Sequence, residues 1–298
     1  MKKILLAVLI LVLCATPLLF TACSNVSQRD LLTTGYVCSA DGYEYFAYDV
    51  KTTNEEGKYV VPVGKMTMKF EPKTNATVTL PSAAEESKEK TYTGFNGTLL
   101  SVDVTMDNGD SIISRVIYGS NCLPTYSYKC TMIGGVKKEM QVTYESKYLY
   151  AKRFENGVEV QSLRHKASGC YDNESLYAIV RASAVGESSY SLSYTSVNAL
   201  TCNADGISIS RVGSLDNNIA ILTPSEYTLE EGKEQFTTPT YVFRIQTDNQ
   251  YAGSYLMEIT QKSQTVENDQ INIKNVKKVI VTITEGAYQY VLSDVKIV

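Results

Sequence analysis

The sequence predicts a mainly β protein built on one large antiparallel curved sheet, either a half-barrel or a sandwich, with few short helices. Apolar and polar residues alternate with a period of two over long stretches, which gives each strand one buried face and one solvated face. Asn-Gly and Asp-Gly pairs separate these stretches and favour tight hairpin turns. The 22 tyrosines, against seven phenylalanines and no tryptophan, suit half-buried positions in strands.

The chain begins with a segment that resembles a bacterial lipoprotein signal. Two lysines precede a short apolar run, residues 4–20, and the run ends in a lipobox, Phe20-Thr21-Ala22-Cys23. A basic start, an apolar stretch and small residues before a cleavage site are typical of an export signal. We therefore expect residues 1–22 to be a signal peptide that is removed before Cys23.

Cys23 is the predicted attachment point of diacylglycerol, with acyl chains such as palmitate. Two acyl chains bury many methylene groups at about 0.8 kcal/mol each, whereas one chain alone binds a membrane only marginally. The apolar run is short for a transmembrane helix and contains Pro17, which disfavours an ordinary membrane span. The expected location is therefore outside the cytoplasm, with lipid on Cys23 anchoring the protein to the cell envelope. Ser24 leaves open which envelope membrane that is.

The mature chain divides into a tether and one domain. Residues 23–34 are polar and lack alternation, so they form the predicted lipidated N-terminus and tether. An antiparallel β domain is expected over residues 35–298. Its clearest apolar faces lie in residues 66–70 and 102–106, and the residues on them are Met66, Met68, Phe70, Val102, Val104 and Met106.

Four hairpin turns are predicted between the strands of the domain. We expect them at residues 107–110, 156–157, 205–206 and 285–286, where glycine accepts a positive φ.

The sequence leaves the secondary structure of two segments undecided. Residues 173–182 are either a short helix, capped by the aspartate or asparagine at its start, or one more strand. Residues 213–239 lack alternation and contain two prolines, so they are a lid, a crossover or a weak boundary.

Five cysteines besides Cys23 remain in the mature chain: Cys38, Cys122, Cys130, Cys170 and Cys202. An odd number allows several pairings in an oxidising envelope, or none in a reducing one. We expect Cys122 and Cys130 to lie close enough for a disulfide, because Pro124 should bend the chain between them. A zinc site is disfavoured, since no Cys-x-x-Cys pair occurs and His165 is the one histidine.

Charge and motifs exclude several functional classes. Removal of residues 1–22 leaves 26 basic and 32 acidic residues, a net charge of −6, without the basic clusters that a nucleic-acid partner requires. No nucleotide-binding glycine loop, zinc-protease motif or serine-hydrolase elbow is present, so no cofactor is expected. Two candidate catalytic residues are also disfavoured. His165 lies between two cations, and the Ser-x-x-Lys match at Ser87 lies in a charged loop. A pair of carboxylates remains the one enzymatic alternative, because such a pair is defined by spacing in space.

The chain resembles the LolA and LppX superfamily of envelope proteins. The resemblance depends on the lipoprotein signal, the series of long antiparallel strands, the segment Tyr171–Arg181 midway and the final hairpin. It implies a curved half-barrel whose concave face is covered by short helices and holds acyl chains. It assigns no individual binding residue.

These observations predict a non-enzymatic, membrane-anchored envelope lipoprotein that binds an apolar or amphipathic ligand, such as a lipid, in the concavity of its sheet. Small-molecule sites are concave and mostly apolar, and few helices are available to cover so much sheet. The expected lining residues are the six named above on residues 66–70 and 102–106. The alternative is a structural or surface-adhesive lipoprotein without a small-molecule ligand.

Overall fold

The computed structural model describes residues 44–183, 191–198, 201–220, 235–248, 254–260, 264–268, 271–276 and 278–297. The expected signal peptide, the tether, Cys23 and Cys38 lie outside these ranges.

Seventeen strands and one helix occur in the described part of the chain. They are β1 (Glu44–Thr53), β2 (Tyr59–Pro81), β3 (Glu89–Met106), β4 (Ser111–Gly119), β5 (Pro124–Ile133), β6 (Val136–Tyr144), β7 (Tyr148–Glu155), β8 (Val158–Lys166), β9 (Cys170–Tyr171), α1 (Ser175–Ser183), β10 (Ser191–Val197), β11 (Ala204–Ala220), β12 (Gln235–Thr247), β13 (Tyr255–Thr260), β14 (Gln264–Asn268), β15 (Ile271–Val276), β16 (Ile280–Glu285) and β17 (Tyr288–Ile297).

Fifteen strands form one sheet in the order β8-β7-β6-β5-β4-β3-β2-β1-β17-β16-β13-β12-β11-β10-β9, and β14 and β15 form a separate pair. Neighbours in the large sheet are antiparallel, except that β9 and β10 are parallel. The sheet is nearly closed and barrel-shaped. Near its two edges, Met140 and Leu149 pack with Cys170 and Val197 in one buried cluster. The predicted mainly β fold with a large antiparallel curved sheet is confirmed.

Three of the four expected turns join neighbouring strands. Residues 107–110 connect β3 to β4, Asn156-Gly157 connects β7 to β8, and Gly286 lies between β16 and β17. Asn156 and Gly157 both have positive φ, as a tight hairpin turn requires.

The prediction of a turn at Asp205-Gly206 is wrong. Gly206 pairs with Thr195 inside the β10–β11 ladder, and the connection lies at residues 198–203 instead. The glycine leaves room there for a neighbouring carboxylate. Asp248 Oδ1 accepts a hydrogen bond of 2.6 Å from the Gly206 amide, and Asp248 Oδ2 lies 2.7 Å from the position a Cβ would take.

The segment expected as a lid, a crossover or a boundary, residues 213–239, continues strand structure at both ends. Residues 213–220 belong to β11 and residues 235–239 to β12, and these two strands pair antiparallel along their length. The residues between them, 221–234, lie outside the described part. Absence of alternation was misleading here, because polar residues such as Asp216 and Asn217 still complete the backbone ladder.

Residues 175–183 are helical, which decides between the two alternatives for this segment. Asp172 stabilises the start of α1, because its Oδ1 accepts a hydrogen bond of 3.0 Å from the amide of Glu174. Leu176, Ala178, Ile179 and Val180 are all buried in the largest core cluster, together with side chains from the inner face of the sheet. Tyr177 is partly buried against the same cluster, so most of the helix surface is covered by the sheet. The main core therefore lies between α1 and the sheet.

A second cluster covers part of the outer face of the sheet. Val78 and Leu80 of β2 pack on Ile117 of β4 and on Tyr126 and Tyr128 of β5. The loop after β2 is held there because Tyr126 donates a hydrogen bond of 2.9 Å to the carbonyl oxygen of Pro81. Tyrosines of β5 therefore point outward and are still buried, and the intervening residues of this strand point inward.

Candidate ligand-binding cavity

A partly enclosed cavity of about 260 Å³ lies between the N-terminal end of α1 and the inner face of the sheet. It is situated toward the end of the sheet that carries the β3–β4, β5–β6 and β16–β17 turns. Its apolar walls are Met66, Val102, Val104, Ile112, Ile133, Leu176, Met257 and Ile283. Its polar lining includes Ser114, Lys129, Glu174, Tyr177, Tyr255, Glu285 and Tyr290.

The structure brings three of the six expected lining residues to this cavity: Met66, Val102 and Val104. Met68 and Phe70 are buried farther along β2 in the packed core, where the Phe70 ring meets the edge of Phe46 at a centroid distance of 6.4 Å. Met106 is partly buried against the same core but does not line the cavity. The other three residues also lie on the inner face of the sheet, but they do not line the cavity. The position of helix α1 determines which part of that face stays open.

The polar end of the cavity is organised around Glu174, which directly precedes α1. Its Oε1 accepts hydrogen bonds from Ser114 Oγ at 3.0 Å and from Lys129 Nζ at 2.9 Å. A carboxylate at the start of a helix also interacts favourably with the helix dipole. Burial lowers the pKa of Lys129, but the charge of Glu174 and its hydrogen bond more than offset this, so the pKa is raised overall. Lys129 therefore remains an ammonium that is already paired.

Asp172 lies deeper, behind this pair. Tyr144 donates a hydrogen bond of 2.9 Å to its Oδ2. Burial and the nearby charge of Glu174 raise the pKa of Asp172, while hydrogen bonds from Ser127, the Glu174 amide and Tyr144 lower it. The pKa is raised overall, so this carboxyl keeps its proton to a higher pH than an exposed aspartate does.

Glu285 is the last residue of β16, is exposed by its fractional surface area, and lines the cavity at the end of the strand. Partial loss of water raises the pKa of its carboxyl, Lys129 lowers that pKa and Glu174 raises it. The net direction is upward. Tyr255 and Tyr290 line the cavity beside it, and burial raises the pKa of both phenols above the ordinary value. The tyrosines are therefore neutral hydroxyl groups.

The residues weighed as catalytic lie away from this cavity. His165 is on β8, at an edge of the sheet, and pairs with Leu149. Ser87 is exposed in the loop before β3, where its hydroxyl donates a hydrogen bond of 2.9 Å to the Glu89 carbonyl. In the described ranges, no group of three or more His, Cys, Asp or Glu side chains is arranged to hold a metal ion.

The structure does not bring Cys122 and Cys130 together, and both are free thiols. Cys122 is in the turn before β5 and packs against the main core, whereas Cys130 packs on the outer cluster. Pro124 does not bend the chain as expected; it begins a continuous strand. Cys130 pairs with Ile113 of β4, and the turn of Cys122 starts at Gly119, six residues along that strand. At about 3.3 Å per residue the two cysteines are roughly 20 Å apart, beyond the reach of a disulfide.

The alternation of residues along the strands did not predict the charged and aromatic part of the cavity. One signal was present in β5, where Ser127, Lys129 and Thr131 alternate with tyrosines and a cysteine. Polar residues at alternate positions are ordinarily assigned to the solvated face. In this strand they point inward, because the outer cluster covers the aromatic face.

Comparison with known proteins adds no relative, since no family model matches the chain and no curated protein is similar to it. Among the described residues, no helix has the length and apolar character needed to span a membrane.

Proposed function

We propose that this protein is a non-enzymatic lipoprotein of the bacterial cell envelope that binds an apolar or amphipathic ligand in the cavity beneath α1. The observation that supports this most directly is the composition of the cavity, which has aliphatic walls and a few polar groups at one end. This is the usual composition of small-molecule sites. Binding of acyl chains is also what the resemblance to the LolA and LppX superfamily implies.

The size of the cavity limits the ligand. At about 260 Å³ it is just below the range of about 300–1,000 Å³ typical of ligand pockets. Farther along the sheet the interior is packed, since Met68, Phe70 and the helix residue Ile179 are buried in one continuous cluster. A short amphiphile, or one chain of a larger one, fits this volume better than a complete lipid with two chains.

The anchor is the second part of the proposal. Lipid on Cys23 would hold the protein to the membrane, and Glu44 lies 21 residues after Cys23. Fully extended, this segment reaches at most about 75 Å. The cavity would thus work within a short distance of the membrane surface.

Native mass spectrometry of the gently purified mature chain tests ligand binding. We expect a copurifying amphiphile with the parent protein and with Ile113→Trp, and its loss with Ile112→Trp. Ile112 lines the cavity, whereas its neighbour Ile113 is exposed on the outer face, so the pair adds the same volume inside and outside. The protein contains no other tryptophan, and fluorescence quenching at the two new positions gives an independent readout. An empty parent protein that also fails to bind the neutral dye N-phenyl-1-naphthylamine would contradict the proposal.

A structural or surface-adhesive lipoprotein is the second candidate, and one observation favours it. Several exposed aliphatic side chains lie at the same end of the sheet as the cavity, on or beside its turns: Val60, Val61, Ile133, Val136 and Val158. Exposed apolar patches mark contact surfaces on many proteins. Loss of adhesion or assembly in a Val60→Ser, Val136→Ser double variant that still binds the dye would favour this candidate.

A further inference from the structure

The polar groups of the cavity fall into two sets. The first set, Lys129, Glu174 and Ser114, is joined by hydrogen bonds of 2.9 and 3.0 Å to one carboxylate oxygen. The second set consists of the Glu285 carboxylate and the hydroxyls of Tyr177, Tyr255 and Tyr290. These four groups line the same cavity, and none of them makes a side-chain hydrogen bond to another residue that the structure describes. The second set therefore has hydrogen-bonding capacity left for a ligand.

The charge of the lining favours one sign of head group. Lys129 supplies one positive charge, and Glu174 and Glu285 supply two negative charges when both are ionised, which leaves a net charge of −1. The single cation is already engaged with Glu174. An anionic head group would approach Glu285 without a free cation to pair with, and like charges at close range repel.

A primary ammonium matches the second set chemically. It has three donors, whereas an ionised carboxylate only accepts, and the three phenol oxygens accept as well. A hydrogen bond between an ammonium and a carboxylate is shorter and stronger than a neutral one. Tyrosine rings also attract cations through their faces.

We propose that the cavity selects amphiphiles with a cationic amine head group over neutral and anionic ones. The ammonium donates to Glu285 and to the tyrosine hydroxyls at the rim, while the hydrocarbon chain lies against Met66, Val104 and Ile283. This inference rests on the proposed ligand-binding function and specifies its ligand class.

Three probes of equal chain length test the selection: decylammonium, decanol and decanoate, titrated calorimetrically below their micelle concentrations. The complete mature chain carrying Cys23→Ala serves as the parent, because it lacks only the lipid. We expect decylammonium to bind at least tenfold more tightly than decanoate. Glu285→Gln should weaken decylammonium binding about tenfold and change decanol binding less than twofold. Glu55→Gln removes the same charge from an exposed turn at the same end of the sheet and should change neither.

The outcomes separate this inference from the function on which it rests. Equal binding of all three probes would leave the proposed function standing and overturn the selection, as would a preference for decanoate. Decylammonium binding that is unaffected by Glu285→Gln would also overturn it. Failure of every probe to bind would contradict both proposals. Glu285 is exposed at the end of β16 and glutamine has the same shape, so this variant is expected to fold.

Discussion

Arg181 and Glu44 form an ion pair that is closed off from solvent and that ties helix α1 to the first strand of the sheet. The two side chains are each 1% exposed, and Arg181 Nη2 donates a hydrogen bond of 2.8 Å to Glu44 Oε2. Arg181 Nε donates to the Lys278 carbonyl oxygen at 2.8 Å, and its guanidinium lies 4.9 Å from the Phe46 ring centroid. One arginine therefore joins residues that are more than 200 positions apart in sequence.

Arg181→Met should destabilise the fold by about 3–5 kcal/mol, because it leaves the Glu44 carboxylate buried without its cation. Adding Glu44→Gln removes that charge, so the double variant should be more stable than Arg181→Met alone. Urea denaturation followed by circular dichroism measures both. Arg164→Met is the control, since Arg164 contacts the Tyr148 ring at the surface and should cost less than about 1 kcal/mol. An equally small effect at Arg181 would contradict a stabilising role for the pair.

Gly97→Ala should destabilise the protein by at least about 2 kcal/mol. Gly97 pairs with Gly119 between β3 and β4, and a Cβ at this position would overlap the carbonyl oxygen of Tyr118. The strands would have to separate locally to accept a methyl group. Gly213→Ala is the matched control in a strand, because a Cβ there meets open space, and we expect a change below about 1 kcal/mol. Equal thermal stability of the two variants would refute the steric argument.

Asp172→Asn should stabilise the protein increasingly as the pH rises above 4. The native pKa of Asp172 is raised above its ordinary value of 3.8, so the native state holds this proton more tightly than the unfolded state does. Its contribution to stability is complete below the unfolded pKa and is lost as pH rises through the native pKa. The free energy of unfolding of both proteins, measured from pH 4 to pH 8, gives the difference directly. Asp107→Asn, on an exposed turn, controls for removal of one negative charge. A difference that shrinks with rising pH would contradict the assignment.

Cys23→Ala should release the protein from the membrane fraction, because the acyl chains and not the folded domain are expected to hold it there. Fractionation of cells that make the parent or the variant measures this, with lipid content determined by mass spectrometry of the N-terminal peptide. Cys38→Ala is the control for loss of a cysteine near the same end of the chain. A variant that remains as membrane-bound as the parent and carries no less lipid would show that the lipobox interpretation is wrong.

Local patterns predicted the strands more reliably than the site. Alternation in residues 66–70 and 102–106 identified a buried face correctly, because side chains of a strand point to opposite sides whatever the rest of the chain does. Asn156-Gly157 identified a turn for a similarly local reason, since its backbone geometry depends on the two residues themselves. Asp205-Gly206 carried the same signal and was misleading, because both residues pair with β10 inside β11, and the Gly206 amide bonds instead to the carboxylate of Asp248, which follows β12.

The sequence by itself determined the strand periodicity, most of the turns and the antiparallel class of the fold, and it predicts the lipid anchor on Cys23. Only the tertiary structure decided that Met66 borders a cavity while Phe70 is packed, and that Lys129 meets Glu174, 45 residues later in the chain. The physical reason is that alternation specifies a face within each strand, whereas the curvature of the sheet and the position of α1 specify which faces converge. Glu285 reaches the same cavity through β16, whose place in the sheet follows from pairing with β13 and β17. Such pairings depend on the energy of the whole sheet and leave no mark within a short stretch of sequence.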